Sequence, residues 1–267
     1  MNDIIYFKLN ECGIGDIIIS SWVMDRTTSK TKEWLIDIEN NIHYRTHPTY
    51  RNFIQSFLEF LYPERNPKLL LDSISGLEIS PDLVPHIISM QDVYKTFSGV
   101  FDNYQCYHSR FKTIVTENYG ECVVLNTRNR LNHNNNNVIE KTIDILNQSQ
   151  RPVVIVGEKQ NESGYEGNNW YLIYKKSLDN LIDKTFDKST DRIGDINEFL
   201  YDYGIVANSL TSISFGCGGF FCCATSMNKC ISYHNFLTPK INFCPDVSTN
   251  VCWSDECFLQ KIFSVVL

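Results

Sequence analysis

The sequence has no apolar run of about 18 residues, the length a membrane-spanning helix needs, so no such helix is expected. It opens on MNDIIYFKLNECGIGD, with no basic segment leading into an apolar stretch and a small-residue cleavage site. That is not a secretory signal, so a cytoplasmic, reducing setting is expected, in which disulfides are rare. Basic charge is also scarce. Lys plus Arg number 24 against 31 Asp plus Glu, a net charge of −7. General nucleic-acid binding is not expected, because neutralising phosphates needs a basic face. The sequence has no GxSxG and no GxxxxGK[ST], which removes the serine-hydrolase and P-loop readings.

Metal motifs are missing as well. No HExxH occurs, and His43 and His47 stand in NNIHYRTHP, a loop-like context without further ligands. There are 10 cysteines, yet none form a Cys-x-x-Cys pair. Seven cluster late, at 217, 222, 223, 230, 244, 252 and 257. The nearest spacings, Cys222–Cys223 and Cys252-x4-Cys257, make no half of a zinc ribbon. The cysteines read as small buried apolar residues, and no resident metal is expected.

What is present is ordinary globular material. Of the 267 residues, 43% are apolar and 21% charged, enough to build one large or two small domains. Strand-like runs alternate with helix-like periodicity. Asp3–Leu9 reads as a strand, followed by a glycine turn at 13–16 and an apolar helix from Ile17. Glu33–Ile38 and Lys68–Asp72 read as further strands, with a helix over Tyr50–Tyr62 between them. The series restarts at Glu121–Asn126, continues with a helix over 137–148 and then Pro152–Gly157, a continuous apolar run typical of a buried parallel strand. Trp170–Tyr174 is another strand candidate, Ile196–Tyr203 a short helix, Gly204–Asn208 a strand, Phe220–Ser226 a helix and Cys230–Tyr233 a final strand. The expected class is α/β, with two Rossmann-like parallel-sheet halves, 1–118 and 119–267, facing a cleft. Ligands in such sheets sit beyond the carboxyl ends of the strands.

Four places could carry chemistry there. Gly13-Ile14-Gly15-Asp16 joins a strand to a helix, and Asp16 is either a helix N-cap or an anion poised at the helix start. A dinucleotide fingerprint would need a glycine at position 18, which is Ile. Thr127, Arg128 and Arg130 follow a buried strand, where the two arginines suit a diphosphate through their bidentate forks, unless the segment is a plain solvated loop. Glu158, Lys159 and Glu162 follow Gly157: Lys159 could meet phosphate and the carboxylates ribose hydroxyls, or the segment is a surface turn. Ser214, Gly216, Gly218 and Gly219 could cradle an anion with backbone N–H groups, or form a packed connection.

Together these segments resemble the GT-B glycosyltransferases, and more narrowly the family 9, heptosyltransferase-like group. Ile4–Leu9 followed by Gly15-Asp16-Ile17-Ile18 is similar to that family's first strand and G-D turn. Val123–Arg128, Val153–Glu158 and Asp195–Ala224 are similar to its second half. The family's usual Asp before and His after the last glycine turn are replaced here by Ser214-Phe215 and Phe220. The resemblance implies a metal-independent transferase moving a sugar from a nucleotide-sugar co-substrate to a glycan, lipid-linked or other hydroxyl acceptor. It implies Asp16 as general base, Gly13 and Gly15 on the acceptor side, and Thr127, Arg128, Lys159, Ser214, Gly216, Gly218 and Gly219 around the donor phosphates. Glu158 and Glu162 would meet the ribose or base. No further cofactor is implied, and the enzyme would be cytoplasmic or peripheral to a membrane. Glu11–Gly15 is also similar to the first motif of S-adenosylmethionine-dependent methyltransferases, one glycine short. The departures near Gly216 keep a non-catalytic nucleotide- or sugar-binding module as a further alternative.

Overall fold

In the computed structural model the chain divides into two compact units, Met1–Val100 and Phe101–Leu267. The structure describes residues 4–9, 17, 20–21, 23–25, 28, 32–38, 48–70, 84, 86–88, 105–115, 117–128, 136–159, 170–187, 196–215, 230–233, 251–252 and 254–267.

The first unit contains β1 (Ile4–Leu9), β2 (Glu33–Asp37), α1 (Pro48–Leu61), a short 3-10 turn at Pro63–Arg65, β3 (Lys68–Leu70) and β4 (His86–Ile88). All four strands are parallel, in the order β3-β2-β1-β4. Helix α1 buries Phe53, Ile54, Phe57, Leu58 and Leu61, a stripe at helical spacing. Trp34 on β2 is fully buried, with Tyr62 at 4.7 Å and Phe7 edge-on at 5.9 Å between ring centroids. Arg65 lies over the Trp34 ring at 5.5 Å while its guanidinium pairs with Asp25 at 2.6 Å, so a buried cation keeps both an aromatic face and a carboxylate.

The second unit runs α2 (Gln105–Lys112), β5 (Val123–Asn126), α3 (Asn136–Ser149), β6 (Val153–Val156), α4 (Tyr171–Ser177), β7 (Leu181–Asp183), α5 (Ile196–Asn208), β8 (Thr211–Ser214), β9 (Cys230–Tyr233), β10 (Val251–Cys252) and α6 (Asp255–Val266). Its sheet has the order β10-β9-β8-β5-β6-β7, and every pairing is parallel. Five strands have three or four residues, and β10 is a two-residue edge. Val123, Leu125, Val153, Ile155, Ile213 and Ile231 share one core with Ile139, Leu146, Tyr174, Phe258 and Ile262 from α3, α4 and α6. Val124, Val154 and Ser212 point the other way by strand alternation and are equally buried, so the sheet is covered on both faces. Alternating strands and helices in two all-parallel sheets make the chain α/β and Rossmann-like in both units, as the sequence pattern indicates. The helices, cleft-side loops and turns expected at 13–16 and 216–226 lie outside the described residues, apart from scattered positions from Ile17 to Asp25 that are helical.

Two sequence expectations are corrected. Trp170–Tyr174 does not form a strand; it leads into α4. Tyr171 and Tyr174 are buried while Leu172 and Ile173 are exposed, the three-residue spacing of a helix rather than the alternation of a strand. Gly204–Asn208 is not a strand either but the last part of α5, and the strand follows at 211–214. Gly204 marks close packing rather than a break. A Cβ there would stand 2.5 Å from a Val115 methyl and 3.2 Å from Ile114 Cβ. The segment 101–118 joins the second unit through α2, whose Phe111 meets Tyr203 of α5 at 5.6 Å.

Candidate functional site

Counted from its own first strand, the second sheet reads 3-2-1-4-5-6, so the chain starts at β5, winds out to β7, and returns beside its start at β8. The crossovers leave in opposite directions at that point, and ligands of such sheets bind at the carboxyl ends of the two strands that flank it, here β5 and β8. Asn126 pairs with Val156, and Leu125 with Ile213, so Asn126, Val156, Ser214 and Ser232 form one row and Thr127, Gly157 and Phe215 come next. The candidate site is built at this rim.

Its β5–β6 side is a tightly bonded turn. Thr127 N–H donates to Val156 O at 2.9 Å, its hydroxyl donates to Glu158 O at 2.8 Å, and its carbonyl accepts from Trp170 N–H at 2.8 Å. Thr127 is fully buried, so these three bonds anchor the turn. The Asn126 side chain accepts from Arg128 N–H at 2.8 Å, and Arg128 is exposed at the rim. Gly157 has φ of 98°, and a Cβ on it would meet Thr127 Oγ1 at 2.8 Å. Beyond it, Glu158 bridges to Phe186, and Lys159 pairs with Asp187 at 3.3 Å in a solvent-screened contact.

On the β8 side, Ser214 is buried and its Oγ has no hydrogen-bond partner among the described residues. A buried hydroxyl left unmatched costs about 1–3 kcal/mol, so such atoms mark places where a ligand or water belongs. The structure thus brings Thr127, Arg128 and Ser214 to one rim, with Glu158 and Lys159 one strand further out. Asp16, Gly13, Gly15, Arg130, Glu162, Gly216, Gly218 and Gly219 lie outside the described residues.

Asp202 on α5 was not singled out by sequence reasoning. It shares a helix face with Phe199, Tyr203 and Val206, and a carboxylate on an otherwise apolar face was the available signal. Its side chain is buried, accepts from Gly157 N–H and keeps Oδ1 without a partner among the described residues. Burial pushes its carboxyl well above the usual carboxylate range; the Gly157 N–H opposes the rise and Glu198, one turn earlier, adds to it. The rim's β7 side carries a second group. Lys184 Nζ donates to Glu117 at 2.8 Å and lies over the Tyr119 ring at 5.4 Å, while the Tyr119 and Tyr201 hydroxyls stand 3.2 Å apart. These residues come from three separate segments, which no sequence spacing links.

The raised Asp202 has a consequence for stability. The folded chain holds this proton at pH values where the unfolded chain has released it, so stability falls as pH rises from about 4 toward the raised value. Asp202→Asn keeps an acceptor for Gly157 N–H and carries no charge. It is expected to raise the melting midpoint by several degrees at pH 8.5, at roughly 2–4 °C per kcal/mol for a unit of this size, and to change little at pH 4.5. Thermal melts across that range test this, and a loss of stability at high pH would mean the carboxylate is charged and paired.

Comparison with protein-family models, with curated proteins and with solved structures finds no match to this chain. Any functional reading therefore rests on the geometry of the rim and on the residues that line it.

Proposed function

We propose that the chain is a glycosyltransferase that takes its sugar from a nucleoside-diphosphate donor. The observation that carries the reading is the switch point between β5 and β8, where Arg128 stands exposed and Ser214 keeps a buried hydroxyl with no partner among the described residues. A nucleoside diphosphate there would be held by Ser214 Oγ, by Arg128 and by backbone N–H groups of the turn at Gly216, Gly218 and Gly219. Lys159 can exchange its screened partner Asp187 for a phosphate at little cost. Glu158, with Glu162 after it, is assigned to the ribose or base. The reading gives the leaving diphosphate's charge to these groups rather than to a metal. Asp16 in the first unit, on the turn that also carries Gly13 and Gly15, is the proposed base for the acceptor hydroxyl. The acceptor is a glycan, a lipid-linked sugar or another hydroxyl compound.

A panel of UDP-, GDP- and ADP-sugars in thermal-shift measurements tests the donor half. One member is expected to raise the melting midpoint by roughly 5–10 °C at a hundredfold excess over Kd. Ser214→Ala, which removes the hydroxyl and adds no bulk to a buried position, is expected to weaken that binding about tenfold or more without unfolding the chain. A shift with S-adenosylhomocysteine alone would transfer the site to a methyltransferase. Nucleotide binding without turnover on any acceptor would make the chain a binding module.

A further inference from the structure

The cysteines clustered late in the sequence play no part in the proposed transfer, yet two of them meet. Cys252 ends the edge strand β10, in register with Tyr233. The chain then turns through Ser254, whose hydroxyl caps α6 by accepting from Cys257 N–H at 3.3 Å. That turn brings Cys257 Sγ to 3.0 Å from Cys252 Sγ. Both sulfurs are held by well-anchored backbone. Cys252 is fully buried in the sheet, and Phe258, next to Cys257, is buried against Phe215 at 5.4 Å and Tyr233 at 5.1 Å between ring centroids. A disulfide needs sulfurs about 2.05 Å apart, so closure requires a shift of roughly 1 Å. Among the described residues no third His, Cys, Asp or Glu joins the pair to make a metal site.

We propose that Cys252 and Cys257 form a reversible dithiol–disulfide pair that closes by exchange with a low-molecular-weight disulfide such as oxidised glutathione. Cys257 is the partly exposed member, so it meets the reagent first. Its thiolate attacks one sulfur of the reagent, RSSR, forms a mixed disulfide and releases RS⁻. Cys252 then gives up its proton and attacks Cys257 Sγ, which forms the Cys252–Cys257 bond and expels the second RS⁻. The protein loses two protons and two electrons, and the reagent leaves as two RSH. Burial, with the neighbouring Cys257 adding to it, pushes the Cys252 thiol up to about 12, while Lys261 opposes the rise. A thiol so hard to ionise is slow to attack as well as a poor leaving group, so the pair both closes and reopens slowly. The bond would tie the edge of the second sheet to the start of α6.

The test uses the full reduced chain, incubated with oxidised glutathione at pH 8, quenched with acid, alkylated and mapped by mass spectrometry. Cys252 and Cys257 are expected to leave the alkylatable pool together and to appear as one internal disulfide without bound glutathione. Cys252→Ser is expected to trap glutathione on Cys257, and Cys257→Ser to leave Cys252 reduced. If Cys252→Ser fails to fold, the wild-type map and Cys257→Ser decide the matter. Persistent glutathione on wild-type Cys257 would overturn the proposal. So would two free thiols at these positions after other cysteines have reacted.

Discussion

Asp16→Ala is expected to lower sugar transfer by about 10²–10⁴-fold, the contribution of a positioned general base. At about 1.36 kcal/mol per decade, that corresponds to a barrier increase of roughly 3–5 kcal/mol. On the proposed mechanism the loss belongs in kcat, because the base would act on the acceptor proton as the bond to the anomeric carbon forms. The proposed donor contacts lie on other residues, Arg128 and Ser214 in the second unit, so the nucleotide-induced thermal shift is expected to persist in the variant. Asp16→Asn keeps the shape and the N-capping ability of aspartate but cannot take a proton. It separates the two readings of this residue: a cap alone predicts that Asn restores activity, and a base predicts that it does not. Steady-state kinetics with the donor identified by thermal shift would decide, and undiminished transfer by either variant would remove Asp16 from the chemistry.

The second large effect falls on Gly157. Its φ of 98° is one that side chains rarely adopt, and an alanine Cβ would stand 2.8 Å from Thr127 Oγ1 and 3.2 Å from the Asn126 side chain. The backbone strain costs about 1–3 kcal/mol. Displacing Thr127 weakens its bond to Glu158 O, worth about 1 kcal/mol, and shifting the turn loosens the N–H that Asp202 accepts. Gly157→Ala is therefore expected to destabilise the second unit by about 3–5 kcal/mol, a large share of the 5–15 kcal/mol that holds a typical protein folded. The melting midpoint should fall by about 10 °C, and the proposed nucleotide binding at the rim should weaken with it. Thr127→Ala removes the atom that the new Cβ meets, so the double variant is expected to lose less than the sum of the single losses. Strict additivity in that cycle would show that the contact with Thr127 is not what makes glycine necessary.

The location of the rim was legible in sequence because it follows from strand type and order. Val123–Asn126 and Pro152–Gly157 are apolar on both faces, which only a covered parallel sheet accommodates, and parallel strands place all their carboxyl ends on one edge. Thr211–Ser214 was harder: three of its four residues carry hydroxyls, so no apolar run marks it, and the strand shows only once the sheet pairs its backbone and buries it. Gly204 misled for a related reason: a glycine that ends a helix and a glycine that admits a neighbouring chain look the same in one dimension.

By itself the sequence determined the α/β class, the parallel strands and the restart of the pattern in a second unit, and it put Thr127, Arg128, Glu158 and Lys159 just beyond strands, because these depend on local periodicity and turn chemistry. Only the tertiary structure decided which side chains meet. Asp202 came to rest on Gly157, Lys184 on Glu117 and Cys257 on Cys252, and Ser214 was left with a buried hydroxyl. Such contacts depend on strand order and helix packing, which bring distant residues together. Even the close pair, Cys252-x4-Cys257, needed a strand end and a capped helix to turn its spacing into a contact.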